Sequence, residues 1–439
     1  MGRFLFTFEY KYLLPITLMN RFLFILLLFL PLMSLAQVPA IQTEQDTTAT
    51  RQEQKISPFN TGFYPVGFFD FDLKYLIKYN NYEGLRLGLG GMTNDRLSKK
   101  FKITGYAAYG TKDKKIKHSV GGSLLLDKDS KTWVTLAYRD DINEIGSAKF
   151  LTDARVYSVF EPRLVNVTQF YQIRTWQTNV ITAFTDNLAG EVRLGRSHID
   201  QTLNYQFLND GITYDSYEVA EATASIRISP KSKFFTTEDG LVEYFDGFPK
   251  ISAQITKGFS GLVRSDFDYT KFGLKLDYYI KRSNLSSTSF LLEGNLAAGD
   301  VPLTHLYHAY PNSPTKEEVL QRFSVAGRRS FETMYFGEFF SDKLATLQVR
   351  HSLQRFEISE RIRPELVLIT RHALGDLSNQ EAHQGINFNT LEKLYNEAGL
   401  ELNKLLFGFG LSFAYRYGAY YLTNPEDNIA FKFTFYAKF

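Results

Sequence analysis

The chain contains no cysteine. This excludes a disulfide framework, thiolate catalysis, a lipid anchor on an N-terminal cysteine, and metal sites that need sulfur. Charge of one sign is also missing. Lys plus Arg is 50 and Asp plus Glu is 47, a formal net charge of +3 over 439 residues. A nucleic-acid partner would call for a strongly basic face or arm, so none is expected. There are 2 Trp and 13 Pro, and after Met33 there is no apolar run long enough for a membrane-spanning helix. What is abundant is Phe, 39, and Tyr, 27. A 44% hydrophobic content is too high for global disorder.

Phe22 to Met33 reads FLFILLLFLPLM, an apolar core of about 12 residues preceded by Arg21. Ser34-Leu35-Ala36 places small residues where a signal peptidase reads, which predicts cleavage between Ala36 and Gln37. Met19-Asn20-Arg21 is itself an ordinary signal-peptide start. Residues 1–36 are therefore expected to be an export signal whose true start is Met19. Residues 37–61 are polar and aperiodic, a flexible leader too short to fold alone.

From Gly62 to Phe439 the pattern has period two, the side-chain period of a β-strand. Leu85, Leu87 and Leu89 oppose Arg86 and Gly88. Phe272, Leu274 and Leu276 oppose Lys271, Lys275 and Asp277. Ala345, Leu347 and Val349 oppose Thr346, Gln348 and Arg350. Phe409, Leu411, Phe413 and Tyr415 oppose Ser412, Ala414 and Arg416. At the C-terminus Ile429, Phe431, Phe433, Phe435 and Phe439 oppose Lys432, Thr434 and Lys438. Turn clusters such as Asn80-Asn81, Asp186-Asn187 and Asn209-Asp210-Gly211 separate the runs.

Alternation fits a soluble sandwich with an inner apolar face, or a membrane barrel with an outer one. An export signal, charges on every second residue and Tyr or Phe at strand ends favour the barrel. Strands of about ten residues match a tilted bilayer crossing. About 377 residues at roughly 20 to 25 per strand and connection give an all-β, antiparallel transmembrane barrel of about 16 strands, with 14 to 18 as the range. Phe431, Phe433, Phe435 and Phe439 then form the terminal aromatic strand that barrel-insertion machinery reads. Expected partners are outer-membrane lipid, lipopolysaccharide and that assembly machinery. Leu151 to Leu164 breaks the alternation and is expected to leave the wall. Ser313-Pro314-Thr315-Lys316-Glu317-Glu318 reads as a capped helix start in a long loop.

No catalytic, metal or cofactor site stands out, and an enzyme is not expected. No G-x-S-x-G elbow occurs. His305-x-x-His308 reads as two polar residues of an exposed loop rather than a metal pair. Asp70 and Asp72 share a strand face and read as lumen or rim charges. Arg328-Arg329 suits phosphate recognition or a solvated loop. Gly88, Gly90 and Gly91 mark strand bending, with no following helix to make an anion site.

Four stretches carry a family resemblance: Tyr82 to Gly91 (YEGLRLGLGG), Gly105 to Asp113 (GYAAYGTKD), Glu332 to Asp342 (ETMYFGEFFSD), and Asn424 to Phe439. Together they resemble a domain-of-unknown-function family of Bacteroidota outer-membrane β-barrels whose members often follow a carboxypeptidase-like regulatory domain. Tyr395 to Leu400 and Tyr415 to Phe439 are also similar to the BamA/TamA outer-membrane assembly superfamily. The chain departs from that pattern. Its leader is too short for a POTRA domain, and Val325-Ala326-Gly327-Arg328-Arg329-Ser330-Phe331 is not the Arg-Gly-Phe loop motif. The resemblance implies a barrel with a role in outer-membrane biogenesis or export. A passive pore and a lipid-modifying enzyme are the alternatives. Oligomeric state leaves no trace in the sequence.

Overall fold

The computed structural model describes residues 62–153, 162–314, 324–359, 362–406 and 408–435. Ala36, Gln37, Phe439 and the expected helix start at 315–318 lie outside the described residues. One antiparallel sheet of 18 strands dominates. Its strands follow sequence order. Phe69–Asp72 and Ile77–Asn80 pair with opposite ends of the same edge of Gly84–Thr93 and count as one interrupted wall strand, β1. Phe63–Val66 only flanks its first half. The 18 strands thus fill sixteen wall positions.

The remaining wall strands are β2 (Gly84–Thr93), β3 (Phe101–Gly110), β4 (Ile116–Asp127), β5 (Thr132–Glu144), β6 (Phe170–Thr185), β7 (Leu188–Gln201) and β8 (Ser216–Ile228). They continue as β9 (Lys250–Gly258), β10 (Tyr269–Lys281), β11 (Ser287–Gly299), β12 (Lys343–Ser352), β13 (Glu365–Asp376), β14 (Tyr395–Leu406), β15 (Phe409–Gly418) and β16 (Ile429–Phe435). No helix among the described residues is long and apolar enough to cross a membrane.

The alternation sorts side chains as expected. Leu89 (60% exposed), Val192, Leu194, Ile255, Phe272, Phe413, Phe431 and Phe433 point outward, an oily belt that matches hydrocarbon. Lys275, Arg371, Arg416 and Lys432 point inward and are buried. Phe435 packs its ring at a tilt against Phe409 across the last strand pair, 4.8 Å between centroids.

β1 is broken by a turn at Leu73–Tyr75, whose entry Asp72 caps through the amide of Lys74 at 3.2 Å. Tyr75 stacks on Tyr106 at 4.2 Å between ring centroids. It fits because Gly90 has no Cβ: one would lie 2.5 Å from the Tyr75 ring. Asp70 bonds Asn94. Asp70 and Asp72 thus serve local turns and form no carboxylate pair.

Connections alternate between two ends. Those at the end where β1 starts are mostly short, such as 186–187 and 282–286. Those at the far end include 145–169, 202–215, 300–342 and 377–394. The described residues of the far-end loops fold over and into the barrel. Tyr205, Phe207, Phe267, Leu303, Leu306, Phe331, Phe340, Phe388 and Leu391 make one buried apolar lid with strand ends such as Tyr217 and Tyr395. At the near end the hairpin Lys233–Thr237/Gly240–Phe245 packs Phe234 and Leu241 onto Trp133, Ile181 and Ala189.

An arginine on the outer belt would sit in hydrocarbon. Leu194→Arg, at the middle of β7, is expected to cost about 2–4 kcal/mol in denaturant unfolding from lipid vesicles. An unchanged midpoint would contradict the outward belt.

Candidate functional site

The lumen and its seam hold the polar chemistry of this chain. Inward charges on every second residue predict a wet interior. The structure fills it instead, because loops bring complementary charges to the wall.

Loop 145–169 descends from the far end. Asp153 pairs with Lys275 of β10 and with Arg329 of loop 300–342 at 2.7 Å. Burial opposes ionisation of Asp153, but Lys275 and Arg329 together hold its carboxyl below the usual range. Arg163 forks onto Glu144 of β5 at 2.7 and 2.5 Å and donates to the Pro311 carbonyl. His308 reaches the same Glu144 at 2.9 Å.

Loop 300–342 carries a second network. Glu332 accepts from the Gly327 amide (3.1 Å), Ser330 (2.8 Å) and Asn312 (2.7 Å), and pairs with Lys432 of β16 at 2.9 Å. Thr333 donates its amide and hydroxyl to Glu397 of β14 at 2.7 and 2.6 Å, and Arg371 of β13 meets Glu397 at 2.6 Å. Glu338 pairs with Arg416 of β15 at 2.7 Å. In a low-dielectric interior such pairs hold because each charge has a partner and most have added hydrogen bonds.

The seam lies between β1 and β16. Among the described residues no strand pairing joins β16 to β1 or to Phe63–Val66. Val325 instead forms a parallel bridge to Phe433. The Ala326 amide donates to the Phe433 carbonyl at 2.8 Å, and the Phe433 amide donates to Ser324 at 3.1 Å.

His305 and His308 do not lie in an exposed loop. Both are buried, because residues 300–314 fold into the barrel and not away from it. Their rings go to different carboxylates, Glu221 at 3.7 Å and Glu144 at 2.9 Å. Thr304, His305 and Glu221 line up as hydroxyl, imidazole and carboxylate, with Thr304 Oγ1 at 2.8 Å from His305 Nδ1. They are packed against the lid beside Tyr217 and Tyr269, away from any described cavity. Arg328 and Arg329 are both exposed loop residues, and Arg329 also pairs with Asp153. A polar cavity of about 280 Å³ remains between β5, β6, β7, loop 145–169 and the near-end hairpin, lined by Gln177, Asn179, Glu191, Arg193, Lys149 and Glu238. Nothing in the sequence paired Glu332 with Lys432 or Glu397 with Thr333. Their only signal was an acidic residue in a loop and a buried-face charge on a strand.

A model described as "Family of unknown function (DUF5686) C-terminal domain" matches residues 66–334. No curated protein matches the sequence. The fold is similar to the crystal structure of BamA from Haemophilus ducreyi lacking POTRA domains 1-3, at 13% identity and a TM-score of 0.50, covering 81% of this chain and 68% of that one. It is also similar to CdiB from Escherichia coli, at 10% identity and a TM-score of 0.45, covering 81% of this chain and 60% of that one. At such identities the likeness to BamA establishes a shared barrel fold.

Two outcomes follow from these networks. Glu332→Ala leaves Lys432 buried without its carboxylate, which costs about 3–5 kcal/mol locally; amide exchange across 324–333 should accelerate. Burial lowers the pKa of His305 and of His383 from 6.5 to about 4. An opened lid returns them to ordinary values and takes up protons. Lid stability is therefore full above about pH 6.5 and falls as pH drops toward about 4. Exchange of lid amides, corrected for intrinsic rate, should be faster at pH 5 than at pH 7.5, and His305→Gln/His383→Gln should flatten that difference.

Proposed function

The chain belongs to the family of unknown function whose model spans residues 66–334, and we propose an integral outer-membrane barrel serving biogenesis of, or export across, that membrane. The observation that carries this reading is the filled lumen. A diffusion pore of this width would keep a wet path. Here two far-end loops, held by Asp153–Lys275, Arg329–Asp153, Glu332–Lys432 and Glu338–Arg416, and a near-end hairpin, held by Arg227–Glu243, occupy that path. The energy spent on burying these charges goes into fixing loops, which suits a protein whose work is to hold or rearrange segments rather than to leak solutes. The BamA-like wall agrees with this reading. The outward belt supports a position in lipid, with lipopolysaccharide and the barrel-assembly machinery as expected contacts. No enzymatic step is assigned.

Deletion in a native host is the test. Outer membranes lacking the protein should be depleted of other barrels or of a surface lipid, measured by quantitative proteomics and lipid analysis. An unchanged composition overturns the reading. Stable single-channel currents from the purified wild type in planar bilayers would replace it with the pore.

A further inference from the structure

We propose that the plug and the seam of this barrel are one mechanical device: two loop segments close the wall between β1 and β16, and the lumen cannot be emptied without unzipping that closure. The geometry is a relay of hydrogen bonds across the seam. Asn81, at the far end of β1, donates to the Val165 carbonyl at 3.1 Å. The next residue, Asn166, donates to the Val325 carbonyl at 2.8 Å and to Asn312 at 2.9 Å. Ser324 and Ala326 then hold both backbone groups of Phe433 on β16. From β1 to β16 the closure therefore passes through Val165–Asn166 and Ser324–Ala326, one segment from each plugging loop.

The same two loops fill the lumen. Arg163, two residues before Val165, is tied to Glu144 and to the Pro311 carbonyl. Arg329, three residues after Ala326, is tied to Asp153 of the other loop. Glu332 returns to Lys432, the strand neighbour of Phe433. Lumen ties and seam ties thus sit within a few residues of each other on both loops. Phe433 is on the outer belt, 41% exposed to the surroundings. Its N–H and C=O cannot stay unpaired in hydrocarbon, where an open edge is not tolerated. The latch therefore leaves only when water or another backbone can replace it, and a wetted lumen supplies the water. Opening along the barrel axis and opening sideways are coupled, each favouring the other by the same factor. This coupling stands or falls independently of the biogenesis reading.

The absence of cysteine makes a clean test. Val325→Cys/Phe433→Cys places two thiols at the bridge. Asp153→Asn in the same chain weakens the lumen ties without touching the seam. In planar bilayers the reduced triple variant should conduct, and the oxidised one should stay silent. Equal conductance in the two redox states overturns the coupling, and so does failure of the disulfide to form. A complementary arm starts from the seam. Ala326→Pro removes the donor to Phe433, and exchange of seam amides on β16 should rise by about tenfold or more while channels appear. Seam exchange that rises with no current would show two separate devices. If Ala326→Pro does not insert, the redox comparison on one and the same protein still decides.

Discussion

Every backbone amide and carbonyl in hydrocarbon needs a partner inside the protein, and this requirement governs the rest of the structure. It permits a wall of paired strands. It makes the wall's two free edges, at β1 and β16, the places where the requirement is hardest to meet. In this chain the described edge of β16 is met by a loop and not by the first strand. The seam is thus a consequence of the bilayer as solvent, solved with the material that also fills the lumen.

Filling the lumen raises a second electrostatic demand. Lys275, Arg371, Arg416 and Lys432 are almost fully buried, and each would be costly alone. Asp153, Glu397, Glu338 and Glu332 answer them, and three of these carboxylates, all but Glu397, come from loops. Wall and plug are therefore mutually stabilising. Neither set of charges is tolerable in a dry interior without the other. Above the charged layer, the lid of Phe, Tyr and Leu side chains supplies the ordinary apolar core that a barrel wall lacks, with neutral His305 and His383 inside it.

Much of this was legible from residue order. Leu85/Leu87/Leu89 against Arg86 and Phe431/Phe433 against Lys432 announce an outer and an inner face, and dividing the chain length by a strand's share of residues leads to about sixteen strands. The break in alternation at 151–164 is matched by its described ends, 151–153 and 162–164, which lie outside the wall strands; 154–161 lie outside the described residues. His305-x-x-His308 misled because spacing says nothing of whether a loop turns outward or inward.

The sequence by itself determined the strands and their faces, because period-two alternation acts through nearest neighbours and needs no knowledge of distant contacts; its length only bounded their number. Only the tertiary structure decided that the lumen is occupied, that Glu332 belongs to Lys432 and Thr333 to Glu397, and that Ser324–Ala326 lies on the edge of β16. Those choices join residues up to 176 positions apart, as with Asp153 and Arg329. A loop residue finds its partner through the closed shape of the wall, and no local pattern encodes that shape.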